Sequence, residues 1–310
     1  MAAVLEQVDA PIEAPEPPAP EVPFVPGVRT DLEHADYLKV DALSASGIKL
    51  ILQSPMHYRF DKDNPSEATD SMLMGTALHM AILEPERFAE SVVVIPEDAP
   101  KKPTAAQWRA KKPSPDSLAA MAWWTEFNAK CEGKTVLNDE LAKKVDGMAA
   151  SVRRHPIHDE MMSAGHSEVS FFWRDARLDI PCKARFDRLN ESAFAFDVKS
   201  CQDASPEGFA RSVAAFKYHY QNAWYNTGHE HLRDQSLRAF LFIAVESVAP
   251  YGCAAYVLES NAIAFGAARC EDAMLLYKQA RDTGYWRGYP ERVYPIVLPR
   301  WATSIAVPTY

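Results

Sequence analysis

The sequence predicts an α/β protein: a mixed central sheet flanked by helices, preceded by a helical N-terminal region. Three observations carry this reading. Helical and strand patterns follow the order helices, three strands, helix, two strands, helix, as an α/β sandwich requires. Glu168–Trp173, Lys183–Leu189 and Ala193–Lys199 alternate apolar and polar residues. Leu237–Val245 is an almost unbroken apolar run, which fits a strand buried on both faces.

The elements follow in chain order. Residues 1–28 are rich in Pro, Ala, Glu and Val and show no period, so a disordered tail is expected there. Order is expected from Tyr37, which leaves residues 1–36 as the tail. A helix begins near Leu43, with Ser44 or Ser46 as its cap, and stops before Ser54-Pro55. A short helix follows at Met56–Phe60. Thr69-Asp70-Ser71 caps a helix to Leu83, whose apolar stripe is Met74, Ala77, Leu78, Ala81 and Ile82. Residues 96–116 are Pro- and Lys-rich and read as a loop or lid. Residues 117–131 and 136–154 read as helices. After the three strands, Ser205-Pro206-Glu207 opens a helix to Tyr225, with Pro at a favourable first position. Tyr251–Leu258 supplies another strand and Asn261–Thr283 the last helix. Residues 291–310 form a C-terminal tail.

Composition narrows the function. The 310 residues suffice for one large domain or two small ones. No run of about 18 apolar residues occurs, so no membrane span is expected. The start lacks a basic segment followed by an apolar one, so no secretory signal is expected. The five cysteines are scattered without a CxxC, which points to reduced thiols in a cytoplasmic protein and away from a zinc ribbon or iron–sulfur cluster. The net charge of −9 sits partly in residues 1–28, which hold Glu6, Asp9, Glu13, Glu16 and Glu21 and no Lys or Arg. It therefore does not exclude a DNA partner. No GxxxxGK[ST] or GxGxxG occurs, so neither an ATP-driven motor nor a dinucleotide site is encoded.

The chemistry concentrates in Lys183-Ala184-Arg185-Phe186-Asp187 and Phe196-Asp197-Val198-Lys199. Lys183, Arg185 and Asp187 share one strand face; Asp197 and Lys199 share another, roughly 7 Å apart. Asn190-Glu191-Ser192 offers a hairpin turn between them. If the strands pair antiparallel, the two carboxylates converge on one ion, and hard oxygen ligands suit Mg²⁺ or Mn²⁺. A lysine beside such an ion can position the attacking water and offset phosphate charge. A solvated strand with a surface ion pair is the competing reading. Gln221 and Tyr225 lie four apart on one helix face, with Tyr218 three residues before. An aromatic core stripe accounts for Phe216, Tyr220 and Trp224 on that helix, but not for the Gln and Tyr. His79 follows Gly75 by four residues, where a backbone or substrate can approach closely. His155-x-x-His158 and His229-Glu230-His231 lack the HExxH offset and sit at helix ends, which favours structural roles. Lys101-Lys102 and Lys111-Lys112 either touch a phosphate backbone or keep their loop solvated.

Met74-Gly75-Thr76-Ala77-Leu78-His79, Asp187, Asp197-Val198-Lys199 and Gln221-x-x-x-Tyr225, in that order, resemble the motifs of the PD-(D/E)xK nuclease superfamily. They are most similar to its RecE (exonuclease VIII) and RecB-nuclease branch. Leu43-Ser44-Ala45-Ser46 and Gln53-Ser54-Pro55-Met56-His57-Tyr58 resemble the RecE-type opening. The resemblance covers residues 37–290 and implies a restriction-endonuclease-like core. It implies that Asp187 and Asp197 are metal ligands, joined by His79 and the Val198 carbonyl, with Glu168 as a further acid. It implies that Lys199 is the catalytic lysine and that Gln221 and Tyr225 contact DNA or support the site. The expected function is a Mg²⁺-dependent exonuclease (Mn²⁺ also fits) acting on ends of linear double-stranded DNA. A phage or prophage recombination setting, a single-strand annealing or recombinase partner and a homo-oligomer would follow. The alternatives are an endonuclease or single-strand exonuclease of the same superfamily, or a non-catalytic DNA-binding scaffold. Two departures stand out. Ser200-Cys201 follows the lysine where Thr is frequent, and the four-cysteine pattern of Cas-associated and AddB-type relatives is missing.

Overall fold

The computed structural model describes residues 22–65, 69–290 and 292–298. From the N-terminus run β1 (Gly27–Arg29), α1 (His34–Lys39), α2 (Ala45–Gln53), α3 (Pro55–Asp63), α4 (Asp70–Leu83) and α5 (Pro85–Ser91). Next come β2 (Val92–Val94), α6 (Ala105–Trp108), α7 (Pro115–Lys130), β3 (Thr135–Leu137), α8 (Asp139–Arg154) and α9 (Ile157–Met161). The remaining elements are β4 (Gly165–Asp175), β5 (Ile180–Asn190), β6 (Phe194–Cys201), α10 (Pro206–Phe216), α11 (Tyr218–Arg233), β7 (Ala239–Glu246), β8 (Cys253–Val257) and α12 (Ser260–Thr283). Ser44, Thr69 and Ser205 start their helices as the sequence suggests, each accepting a backbone N–H of the first turn, and Ser54, expected only as a helix stop, caps α3 in the same way.

The main sheet has six strands in the order β1-β4-β5-β6-β7-β8. β6 and β7 run parallel, and every other neighbouring pair is antiparallel. This is the mixed sheet flanked by helices that the sequence predicts. The two-residue period of the strands divides the apolar side chains between two cores. One lies between the sheet and α2, α11 and α12, with Ile48, Ile51, Phe171, Phe186, Trp224 and Phe242 at its centre. The other packs α4 and α8 through Leu78, Ile82, Val145 and Met148 against Phe196, Val198, Ile243 and Val245. Each such fully buried side chain contributes about 1.5–3 kcal/mol. Because Phe196 and Val198 belong to the α4 side, Asp197 and Lys199 point toward α2 and α11.

The expected tail needs correcting. Val22, Phe24 and Leu32 pack on a third small core of Tyr37, Val40, Ala42 and Phe172. Gly27–Arg29 pairs with Ser170–Phe172 of β4. This short strand depends on tertiary partners, which local periodicity cannot reveal. Residues 1–21 and 299–310, the bulk of the two expected tails, lie outside the described residues. Three further differences are short-range. Residues 96–116 hold α6, closed by a capping box between Thr104 and Gln107. β2 and β3 form a separate parallel pair of three residues each, too short to show a period. The helix expected from 206 to 225 is two helices, because Lys217 is left-handed at φ 59°. That break carries no Gly or Pro signal, yet it starts α11 afresh at Tyr218.

α11 is held close to α12 by Gly266. A Cβ there would stand 2.2 Å from the His219 carbonyl oxygen, a backbone atom that cannot turn away. Gly266→Ala is therefore expected to destabilise the fold by about 1–3 kcal/mol, read as a lower midpoint of urea unfolding. An unchanged midpoint would contradict this packing.

Candidate active site

The strands that carry the two aspartates part company at the site. β5 and β6 pair only through Arg188–Phe196 and Leu189–Ala195, next to their turn. Beyond that point the Asp187 carboxylate takes over, its Oδ2 accepting the Val198 N–H at 2.9 Å. The face alternation also changes at Asp187. Phe186 enters the α11-side core, whereas Arg188 donates to the Met161 carbonyl on the other side. Between the β4–β5 pairs Ser167–Arg188 and Val169–Phe186 lies Glu168, at φ 53°. Left-handed backbone at a non-glycine residue costs about 1–2 kcal/mol. Here it turns a carboxylate toward the gap.

His79 enters from α4. Its Nε2 lies 2.9 Å from the Val198 carbonyl oxygen and 3.5 Å from Asp187 Oδ2. The first contact requires Nε2 to carry the proton. His79, Glu168 and Asp187 each bring one ligand atom to within 4.8 Å of the others, the one such trio of His, Cys, Asp or Glu among the described residues.

Asp197 is 1% exposed and receives a different set of neighbours. Gln221 Nε2 donates to its Oδ1 at 2.5 Å. Lys199 Nζ pairs with its Oδ2 at 2.5 Å. The ammonium approaches off the hydrogen-bonding direction, so this buried Oδ2 has no aligned donor. Lys199 also lies over the Tyr218 ring, 5.0 Å from its centroid. Tyr225 is wedged against Phe186 and Phe240 at centroid distances of 4.9 and 5.6 Å. Arg185 Nε donates to Glu168 Oε2 at 2.6 Å, while its Nη1 donates to the Leu32 carbonyl and Ser170 Oγ. Glu168 is thus held in place, rather than solvated as strand-start acids usually are. Lys183 ends in the carbonyl oxygens of Tyr37, Leu38 and Val40, which closes the end of α1.

The electrostatics follow from burial and crowding. Burial, then the Asp197 charge, pushes the Asp187 carboxyl up to about 7. For His79, burial works against the imidazolium, but Asp187 and Glu168 outweigh it and the proton is held more tightly than usual. Lys199 follows the same logic: burial opposes its charge, and Asp197 and Asp187 overcome that. Burial raises Tyr225 well above the ordinary phenol range. Lys49, which sequence reasoning does not single out, is pushed down to about 8 by burial and by Lys199. Its legible signal is its place on α2, three residues after Ser46 and on the same helix face.

His79, Glu168, Asp187, Asp197, Lys199, Gln221 and Tyr225, which are far apart in sequence, all line one cleft of about 910 Å³. Val198 meets the group only through its backbone, with N–H on Asp187 and carbonyl on His79. The other histidine motifs lie elsewhere. His229 and His231 bond to the carbonyls of Gln235 and Thr227, and His155 accepts the Ile157 N–H. Lys102 rests over Trp124, and Lys101, Lys111 and Lys112 are exposed outside the cleft lining. No described helix is long and apolar enough to cross a membrane.

The donor set fits a hard divalent cation: two carboxylates, one imidazole, and a buried carboxylate oxygen without an aligned donor. At His79 the nitrogen facing Val198 holds a proton, so a cation using that nitrogen must displace it.

Comparison with known proteins gives the family and the fold. The family model of a PDDEXK-like domain of unknown function (DUF3799) matches residues 44–294. The fold is similar to a crystal structure from Eubacterium rectale, of a protein provisionally described as an exonuclease. The two are 12% identical with a TM-score of 0.56, covering 89% of this chain and 99% of that one. The structure of SSO0001 aligns over 69% of this chain and 89% of that one at 12% identity, with a TM-score of 0.27, too low to support an argument. No curated protein matches the chain.

Proposed function

Since the chain belongs to the PDDEXK-like domain family, with the restriction-endonuclease-like fold and nuclease character of that superfamily, we propose that it is a metal-dependent exodeoxyribonuclease acting on ends of linear double-stranded DNA. One observation carries the reading. Two strands diverge so that Asp187, Asp197 and Lys199 meet His79 and Glu168 in a single cleft. A surface ion pair needs no such convergence, and burying these charges without a ligand is costly.

His79, Glu168 and Asp187 would hold the cation, with Asp197 and the Val198 carbonyl as neighbouring oxygen donors; Mg²⁺ suits the carboxylates and Mn²⁺ also suits the imidazole. When bound, the ion would supply an activated water and offset charge on the phosphate. The residues of the chain do the rest. Lys199 stays an ammonium at neutral pH, because the aspartates raise its affinity for the proton. It therefore serves as a donor that orients the nucleophile and offsets developing charge, not as a base. Gln221 fixes the Asp197 carboxylate, and Asp197 in turn aims Lys199. Tyr225 borders the place where a phosphodiester would lie.

The order of the sequence motifs is what supports a RecE-like enzyme, and with it a product carrying a 3′ single strand for an annealing or recombinase partner in a phage or prophage setting. Digestion of a 5′-labelled linear duplex beside a closed circle of the same sequence tests this. Loss of the linear form alone in Mg²⁺, arrested by EDTA, is expected. Cutting of the circle would replace the exonuclease reading with an endonuclease one, and no cleavage of either would refute both.

Metal affinity is expected to depend on pH. Asp187 must lose its proton to become a ligand, and that proton is held up to about pH 7. As pH drops, the apparent affinity for Mn²⁺ should fall by up to about tenfold per unit for each of two protons, one on Asp187 and one on His79, whose imidazolium is also held more tightly than usual, and it should level off once both have left. Calorimetric titration between pH 5.5 and 8.5 reads this directly. A flat profile would contradict the arrangement.

A further inference from the structure

α2 brings a second cation into the cleft. Ile48 and Ile51 are fully buried on either side of Lys49, so the backbone that carries it is fixed. The Lys49 side chain lines the cleft and its Nζ lies 5.6 Å from the Tyr218 ring centroid. Lys199 lies 5.0 Å from the same centroid. The two lysines nevertheless differ in their partners. Lys199 is paired with Asp197, and Lys183 and Arg185 are tied to carbonyls and Glu168. Lys49 makes no ion pair and no hydrogen bond among the described residues; Tyr218 is its aromatic contact.

A half-buried ammonium without a counter-charge is unfavourable unless an anion completes it. Asp197 does not serve: its oxygens face Gln221 and Lys199, and Lys49 forms no ion pair with it among the described residues. The Tyr218 ring is itself packed by Phe209, Phe216 and Phe242, with centroids 5.6–6.1 Å away, so its position beside the two lysines is fixed by aromatic packing. What remains is an anion brought into the cleft. Two ammoniums on one aromatic ring match neighbouring negative charges on a single chain, which a nucleic-acid strand supplies at every residue.

We propose that Lys49 binds the phosphodiester next to the one that is cleaved, so that Lys49 and Lys199 hold consecutive phosphates of one strand. The assignment rests on the nuclease reading above and adds a substrate-binding residue to it. It makes Lys49 a determinant of affinity, whereas Lys199 acts on the reacting phosphate. An alternative role, in which Lys49 only tunes Lys199 by repulsion, would appear in turnover instead.

The test is binding of a labelled linear duplex with Ca²⁺ in place of Mg²⁺, measured across a series of KCl concentrations. Wild type is compared with Lys49→Met, which keeps the apolar stem, and with Lys49→Gln and Lys49→Arg. The neutral variants should bind about tenfold more weakly or worse, with the slope of log affinity against log salt reduced by about 0.7–0.9. Lys49→Arg should recover most of both. In Mg²⁺ the neutral variants should raise KM and leave kcat within about twofold. An unchanged salt slope in folded Lys49→Met and Lys49→Gln overturns the assignment. So does a fall in kcat with a displaced pH profile and no change in slope. Wild type that neither binds nor cleaves the duplex overturns the nuclease reading itself, and the two failures are thereby distinguished.

Discussion

Lys199→Ala leaves DNA bound and lowers the rate of cleavage by about 10²–10³-fold, the range for loss of one positioned donor to developing charge. Three features set that size. The ammonium is fixed by Asp197 at 2.5 Å, it is walled by Tyr218, and it remains charged at neutral pH. The same substitution strips a buried carboxylate of its counter-charge, since Asp197 is 1% exposed. Breaking such a pair costs about 3–5 kcal/mol. The variant is therefore less stable without metal and regains stability when Mn²⁺ is added. Single-turnover cleavage and thermal melts with and without Mn²⁺ read both effects. Cleavage at the wild-type rate would remove Lys199 from the mechanism.

Asp187→Asn has the opposite effect on stability. In the folded protein Asp187 holds its proton up to about pH 7, far above its ordinary value of 3.8, because of burial first and Asp197 second. A carboxyl whose proton is held more tightly after folding lends stability at low pH and withdraws it as pH rises through the folded value. At pH 8 the wild type therefore carries the full cost of an ionised, crowded Asp187. An amide removes that cost while its oxygen still accepts the Val198 N–H. The variant should melt higher than wild type at pH 8 without metal, by about 2–4 °C for each kcal/mol recovered, with a smaller gain at pH 5 and little at pH 4, because the cost builds up between the ordinary value of 3.8 and about 7. It should also lose most metal-induced stabilisation and nearly all cleavage. Higher stability with no activity is the trade expected when a site is built for a ligand. A melting temperature that falls at pH 8 would contradict the crowding described here.

Much of this arrangement is legible in the residues themselves. The apolar run at 237–245 and the three alternating segments yield the sheet, because a two-residue period is decided locally. Ser44, Thr69 and Ser205 mark helix starts because a cap needs only its own first turn. What depends on distant partners is not legible. Gly27–Arg29 is a strand only because β4 offers it an edge. Lys217 breaks a helix without Gly or Pro, and Glu168 turns left-handed within an apparently ordinary strand. The site shows the same division. Asp187, Asp197 and Lys199 declare themselves as charges on strands, and His79, Gln221 and Tyr225 through motif order. Their convergence on one cleft depends on where β5 and β6 separate, which no spacing encodes. Lys49 escapes notice for a related reason. A lysine on a helix is ordinarily solvated, and the absence of a counter-charge becomes visible only once the cleft is assembled.

The most direct test of the metal-centred account is anomalous scattering from crystals grown with Mn²⁺ at a concentration that supports cleavage. The strongest peak is expected among His79, Glu168 and Asp187, beside Asp197 and Lys199. A strongest peak elsewhere, or none at that concentration, would contradict it.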